Sequence, residues 1–171
     1  MIRKVIMLLL LLILVAGCSQ EPVEDLNQTT YALGTVITIN LYDQGDEELM
    51  DGLIARVGEI EALMSSQKEA SEVSEINRQA GIAPVQVSGE TYEVIKRALY
   101  YADLSNGKFD PTIGPIVSLW GVGTEDAKVP TQPEIDEALT FVNYKEIIFN
   151  DQDLTVYLPV DGMSLDLGGI A

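Results

Sequence analysis

An α+β fold follows from three features of the chain. Alternating runs, amphipathic stretches and Gly/Pro-rich connections succeed one another without a strict strand–helix–strand rhythm. Two stretches of helical period, opening at Asp46 and at Ser88, are long enough to form a helical layer. Glu146 to Phe149 and Leu154 to Leu158 flank Asn150-Asp151-Gln152-Asp153, which predicts a hairpin.

Met1-Ile2-Arg3-Lys4 precedes an apolar run from Val5 to Ala16, the pattern of a signal peptide. The run is shorter than the roughly 20 apolar residues of a membrane span. Val15-Ala16-Gly17-Cys18 closes it like a lipobox, in which cleavage leaves a lipidated cysteine first. An ordinary secretory signal that contains a Cys is the alternative. Cys18 is the one cysteine, so no internal disulfide forms, and lipidation accounts for a lone exported thiol. Residues 1–17 are thus expected to be a lipoprotein signal, 18–29 a polar, acidic tether, and 30–171 the folded portion. The expected location is the extracytoplasmic face of the cell membrane, held by lipid.

Thr35 to Tyr42 alternates, with Ile37, Ile39 and Leu41 on one side of a half-buried strand. After a turn over Asp43 to Asp46, Asp46 caps a helix of about 20 residues, with Leu49, Leu53, Val57, Ile60, Leu63 and Met64 on its core face. Ser65 to Ala70 is loop, and a short helix ends before Gly81. Val85 to Val87 is a brief strand. Ser88 caps a second long helix that turns Tyr92, Ile95, Leu99 and Ala102 inward and stops at Asn106-Gly107. Thr131-Gln132-Pro133-Glu134 is a capping box with Pro in the first turn, and Ile135, Ala138, Leu139 and Val142 face inward behind it.

Gly107 to Gly123 is too rich in Gly and Pro for a helix or a central strand and too apolar for a solvated linker, so it is expected to be a folded loop around the single tryptophan, Trp120. Such loops carry sites or merely pack. Met163 to Ala171 has the pattern of a short strand running into the Gly168-Gly169 turn, the entrance to a helix that does not follow. A truncated sequence is the expectation there, with Met163, Leu165 and Leu167 poorly covered.

The net charge of −17 disfavours nucleic acid, whose phosphates need a basic surface, and disfavours electrostatic attachment to anionic lipid. The chain has no histidine, which excludes a Ser-His-Asp triad and His-ligated zinc within it. Asp110 is suited to accept hydrogen bonds from a ligand's ribose or ring N–H groups, or to close an Asx turn on its own backbone. Asp166 is suited to recognise such donors, or to cap a following helix.

Two segments in register carry a resemblance: Gly107-Lys108-Phe109-Asp110-Pro111-Thr112 with Gly114-Pro115-Ile116-Val117 and Leu119-Trp120-Gly121, and then Asp166-Leu167-Gly168-Gly169-Ile170-Ala171. Leu33-Gly34-Thr35 and Ser71 to Asn77 fit as well. The chain from about Thr30 onward resembles the FAD:protein FMN transferases, the ApbE-like flavin transferase lipoproteins. The resemblance implies a T-fold-like two-layer architecture. It implies Mg²⁺-dependent transfer of FMN from FAD to a threonine of an exported acceptor protein, with AMP released. The rival readings are an FAD pyrophosphatase and a non-catalytic flavin-binding lipoprotein. By the same resemblance Leu33, Lys108, Phe109, Asp110 and Asp166 contact FAD, and the Gly169 carbonyl is a Mg²⁺ ligand. The other metal ligands, an aspartate and a threonine, would lie beyond Ala171, and no catalytic residue is assigned. The sequence departs from the family pattern at Leu33, where Met is frequent, and near Gln67, where a flavin-contacting Tyr is common. The chain by itself is expected to be inactive and prone to aggregate.

Overall fold

The computed structural model describes residues 25–42, 46–121 and 123–170. The signal, Cys18, most of the tether and the turn at 43–45 lie outside the described residues. Two strands open the fold, β1 (Leu26–Ala32) and β2 (Thr35–Leu41), paired antiparallel with Ala32 opposite Thr35. The first strand was not expected: it occupies the end of the stretch assigned to the tether. Its sequence, Leu-Asn-Gln-Thr-Thr-Tyr-Ala, has no apolar alternation, and its register comes from β2 and from the helix behind it.

Helix α1 (Glu47–Met64) begins as expected at Asp46, whose Oδ1 accepts from the Leu49 N–H at 2.6 Å. Its buried face starts one residue later than the sequence suggests. Met50 is buried while Leu49 is 51% exposed, and the stripe then runs through Leu53, Val57, Ile60 and Met64 at three- and four-residue steps. Helix α2 (Glu72–Arg78) is capped by Ser71, and helix α3 (Gly89–Leu104) by Ser88. Each such cap is worth about 1 kcal/mol.

Helix α3 ends in a Schellman arrangement. The Gly107 N–H donates to the Ala102 carbonyl at 2.9 Å and the Asn106 N–H to Asp103 at 3.0 Å, with Asn106 and Gly107 both left-handed. Strands β3 (Val85–Gln86), β4 (Ile148–Asn150) and β5 (Thr155–Tyr157) form a second sheet in the order β3-β5-β4, all antiparallel, and β4–β5 is the expected hairpin. Its turn is fastened to α3: Asp151 accepts from the Tyr92 hydroxyl at 2.7 Å and from Lys96 at 2.9 Å. Burial, followed by this carboxylate, pushes the Tyr92 phenol up to about 12.

Two expectations fail here. Gly114–Trp120 is a helix, α4, inside the segment assigned to a loop. Pro115 sits in its first turn, where the missing N–H costs nothing, and Gly121 ends it at φ 58°, so the supposed breakers punctuate a helix instead of preventing one. The last strand is also absent. Met163 to Leu167 is extended, with a single parallel bridge between Ile113 and Ser164. Its apolar side chains are nonetheless covered: Met163, Leu165 and Leu167 are all buried in the main core with Val73, Ile76 and Ile95. Helix α5 (Gln132–Leu139) starts at Thr131, whose N–H reaches the Glu134 carboxylate at 2.7 Å. Leu139, expected inside, is exposed, because the helix ends there, while Ile135, Ala138 and, beyond the helix, Val142 of the expected face are partly covered. No helix among the described residues is long and apolar enough to cross a membrane.

Candidate functional site

The extended segment at 164–166 is the axis of the site. The Leu165 N–H donates to the Asn77 side-chain oxygen at 2.7 Å, and the Asn77 amide donates back to the Leu165 carbonyl at 3.0 Å. The Asn77 side chain therefore takes the place of a neighbouring strand. On the other flank the Gly114 N–H donates to Ser164 and the Asp166 N–H to Pro111. Asp166 leaves this double clamp with its carboxylate between two loops. Its Oδ1 accepts from the Gly168 N–H at 2.9 Å and its Oδ2 from the Ser66 hydroxyl at 3.1 Å.

The loop opposite, residues 65–71, is held from inside. The Ser65 carbonyl accepts from the Ser71 hydroxyl at 2.5 Å and from Ser74 at 3.3 Å. Two adjoining cavities open between this loop and the 164–168 segment. One, of about 390 Å³, runs past Asn77, Arg78, Ser118 and Ser164. The other, of about 180 Å³, is bounded by Leu33, Gly34, Glu61, Met64 and Leu167. Ser66, Gln67 and Asp166 line both. The composite cleft has a polar end rich in hydroxyl groups and an apolar end, which suits an elongated ligand with a flat ring at one end and polar atoms at the other.

Leu33 and Gly34 form the two-residue turn of the β1–β2 hairpin, with φ of 53° and 71°. A hairpin of this length takes the type I′ turn, in which both central residues are left-handed. The Leu33 N–H donates to Glu61 at 2.9 Å. The Glu61 carboxyl lies below the usual carboxylate range, first because of Lys68 and then because of this N–H.

The expected ligand residues fall into separate places. Leu33 and Asp166 meet in the cleft, where Gln67, which was not assigned as a ligand, also lies. Phe109 and Gly169 meet elsewhere, in a cavity of about 410 Å³ with Tyr101 and Ile170. Lys108 is exposed, and neither it nor Asp110 lines any of these three cavities. Asp110 closes an Asx turn: its Oδ1 accepts from the Thr112 N–H at 2.8 Å and the Thr112 hydroxyl at 2.6 Å. Its Oδ2 accepts from the Tyr144 N–H at 3.1 Å, and the Thr112 oxygen accepts from the Asn143 N–H at 2.8 Å. Asn77, Ser66 and Glu61 were not singled out as site residues. Asn77 stood in a quoted segment, but its partner lies 88 residues away.

For a metal ion the fit is poor. No three His, Cys, Asp or Glu residues cluster as ligands among the described residues. Gly169 packs against Phe109, whose ring carbon would lie 3.0 Å from an added Cβ. A hard divalent ion needs several oxygen ligands, and one neutral carbonyl beside an aromatic ring does not supply them.

The comparison with known proteins fixes the family, since residues 33–171 match the ApbE family model. The chain belongs to the ApbE family. It is 30% identical over 158 residues to the FAD:protein FMN transferase of Treponema pallidum, covering 87% of this chain and 44% of that protein. It is 32% identical over 139 residues to the same-named protein of Klebsiella pneumoniae, covering 81% and 44%. The ApbE protein of Thermotoga maritima superposes with a TM-score of 0.78 at 33% identity, covering 85% of this chain and 48% of that one. The flavin transferase ApbE of Vibrio cholerae gives 0.75 at 27%, covering 86% and 49%. The chain thus spans about half the length of the curated ApbE relatives it matches, and its mixed helix–strand architecture agrees with theirs over that part.

Proposed function

We propose that this chain forms the flavin-binding half of an FAD:protein FMN transferase. The relatives' activity supports the reading, and the observation that carries it is the single cleft on which Leu33, Gln67 and Asp166 converge. The isoalloxazine ring would lie at the apolar end between Leu33, Met64 and Leu167, and the polar remainder of FAD would run toward Asn77 and Ser118. A threonine hydroxyl of an exported acceptor attacks the FMN-side phosphorus. The phosphoanhydride P–O bond breaks, a phosphoester bond to threonine forms, and AMP leaves with the bridging oxygen. The described side chains bind and orient FAD, and the hydroxyl proton leaves to solvent. Mg²⁺ dependence belongs to this proposal by family resemblance, with Gly169 as one ligand; the described residues do not complete an ion site, and no step here runs through it.

The test is flavin fluorescence of an acceptor protein incubated with FAD and the protein expressed from its complete reading frame. A covalently fluorescent acceptor is expected. Asp166→Ala should weaken FAD binding by about 1–3 kcal/mol, the cost of an unmade hydrogen bond in a buried site. Hydrolysis of FAD without acceptor labelling would identify a pyrophosphatase, and FAD held unchanged would identify a binding lipoprotein.

We further propose lipid anchoring at Cys18 on the extracytoplasmic side of the membrane, supported by the Val15 to Cys18 sequence. Cys18→Ala is expected to move the protein out of the membrane fraction or leave its signal uncleaved. Equal partitioning of the two forms would exclude the anchor.

A further inference from the structure

We propose that Glu61 is a positioning residue that holds the two walls of the cleft in register, an inference that rests on the reading of that cleft as the FAD site. One carboxylate serves both walls. Its Oε1 accepts from the Leu33 N–H at 2.9 Å, fixing the hairpin turn on one side. Its Oε2 accepts from Lys68 at 2.5 Å, fixing the loop that presents Ser66 and Gln67 on the other.

Both attachments answer a physical need. In a two-residue hairpin turn the N–H groups of the central residues point out of the ladder, so the Leu33 N–H needs an acceptor from elsewhere. Leu33 also pays a steric penalty for its left-handed backbone, which persists only where its surroundings enforce it. The isolated hairpin would be marginal by itself, since two strands rarely hold their shape without a surface to pack on. Glu61 projects from α1, the helix that packs against β1, and it also lines the cleft beside Leu33. The Leu33 side chain therefore meets a ligand at a place set by a carboxylate on the helix rather than by the strands that carry it.

The test is steady-state FMN transfer and direct FAD titration with the protein from its complete reading frame. Glu61→Ala is expected to raise the KM for FAD about tenfold with a smaller change in kcat, the signature of a lost positioning hydrogen bond rather than lost chemistry. Glu61→Gln keeps an oxygen for the Leu33 N–H and is expected to restore most of that loss. Lys68→Met, at a half-exposed position, releases only the loop and should raise KM about threefold. A lowered melting temperature with wild-type KM in both Glu61→Ala and Lys68→Met would make Glu61 merely structural and overturn the inference. If Glu61→Ala does not fold, Lys68→Met decides by the same criterion. A wild-type protein that binds no FAD would remove the functional reading and this inference together. Wild-type FAD binding with unchanged variants removes the inference alone.

Discussion

Asp110→Ala is expected to lower the free energy of unfolding by about 3 kcal/mol, measured by urea denaturation. The substitution strips an acceptor from three donors at once: the Thr112 N–H, the Thr112 hydroxyl and the Tyr144 N–H. Thr112 is fully buried, so its donors cannot turn to solvent, and each buried donor left unpaired costs about 1–3 kcal/mol. Partial access of water near Asp110, which is only half-buried, keeps the total below the sum. Asp110→Asn retains one good acceptor and should lose about half as much. An Asp110→Ala protein of wild-type stability that binds FAD poorly would mean the carboxylate is held free for a ligand, and that the internal bonds contribute little.

Gly114→Ala is expected to be equally severe, about 3 kcal/mol with loss of the cleft, for a steric reason. An added Cβ would lie 2.6 Å from the Ser164 carbonyl oxygen and 2.9 Å from its carbon, inside contact distance of backbone that has no room to give. The two chain segments must separate, and with them go the Gly114–Ser164 and Asp166–Pro111 hydrogen bonds that aim Asp166. Gly168→Ala is the control: its added Cβ meets only the Asp166 side chain, at 3.1 Å, which can yield. Equal unfolding midpoints for Gly114→Ala and the wild type would show that the close approach is relaxed in solution.

These residues also mark how far the sequence was legible. Asp46 and Ser88 announced their helices because a cap and the N–H it accepts from are three residues apart, whereas the Ser71 cap of α2 has the same spacing and was not singled out. The β1 strand gave no such signal, since its partner supplies the register and its own residues are polar. Helix α4 was hidden because Pro115 and Gly121 were counted as breakers without regard to their position at its two ends. For the site, resemblance named Leu33, Phe109, Asp110 and Asp166 together; Leu33 and Asp166 line one cleft, while Phe109 lines another cavity and Asp110 bonds its own loop. Glu61 was illegible for another reason. On an amphipathic helix an acidic residue looks like any solvated one, and its meaning comes from Leu33, 28 positions earlier.

The exchange of hydrogen bonds between Asn77 and Leu165 has a consequence for how the molecule comes into being. The ribosome adds about 5–20 residues per second, so roughly 4–18 seconds separate the appearance of these two residues. During that interval the chain carries α2 and gains α3, but lacks the segment that completes the core to which both contribute. The amide of Asn77 is wet, and Val73, Ile76 and Ile95 lack the cover of Leu165 and Leu167. Because 164–166 is held between Asn77 and Gly114, the contacts that complete the core are the same ones that shape the cleft. Until they form, the nascent protein presents sticky apolar surface of the kind chaperones bind, and it has no place for a ligand to sit.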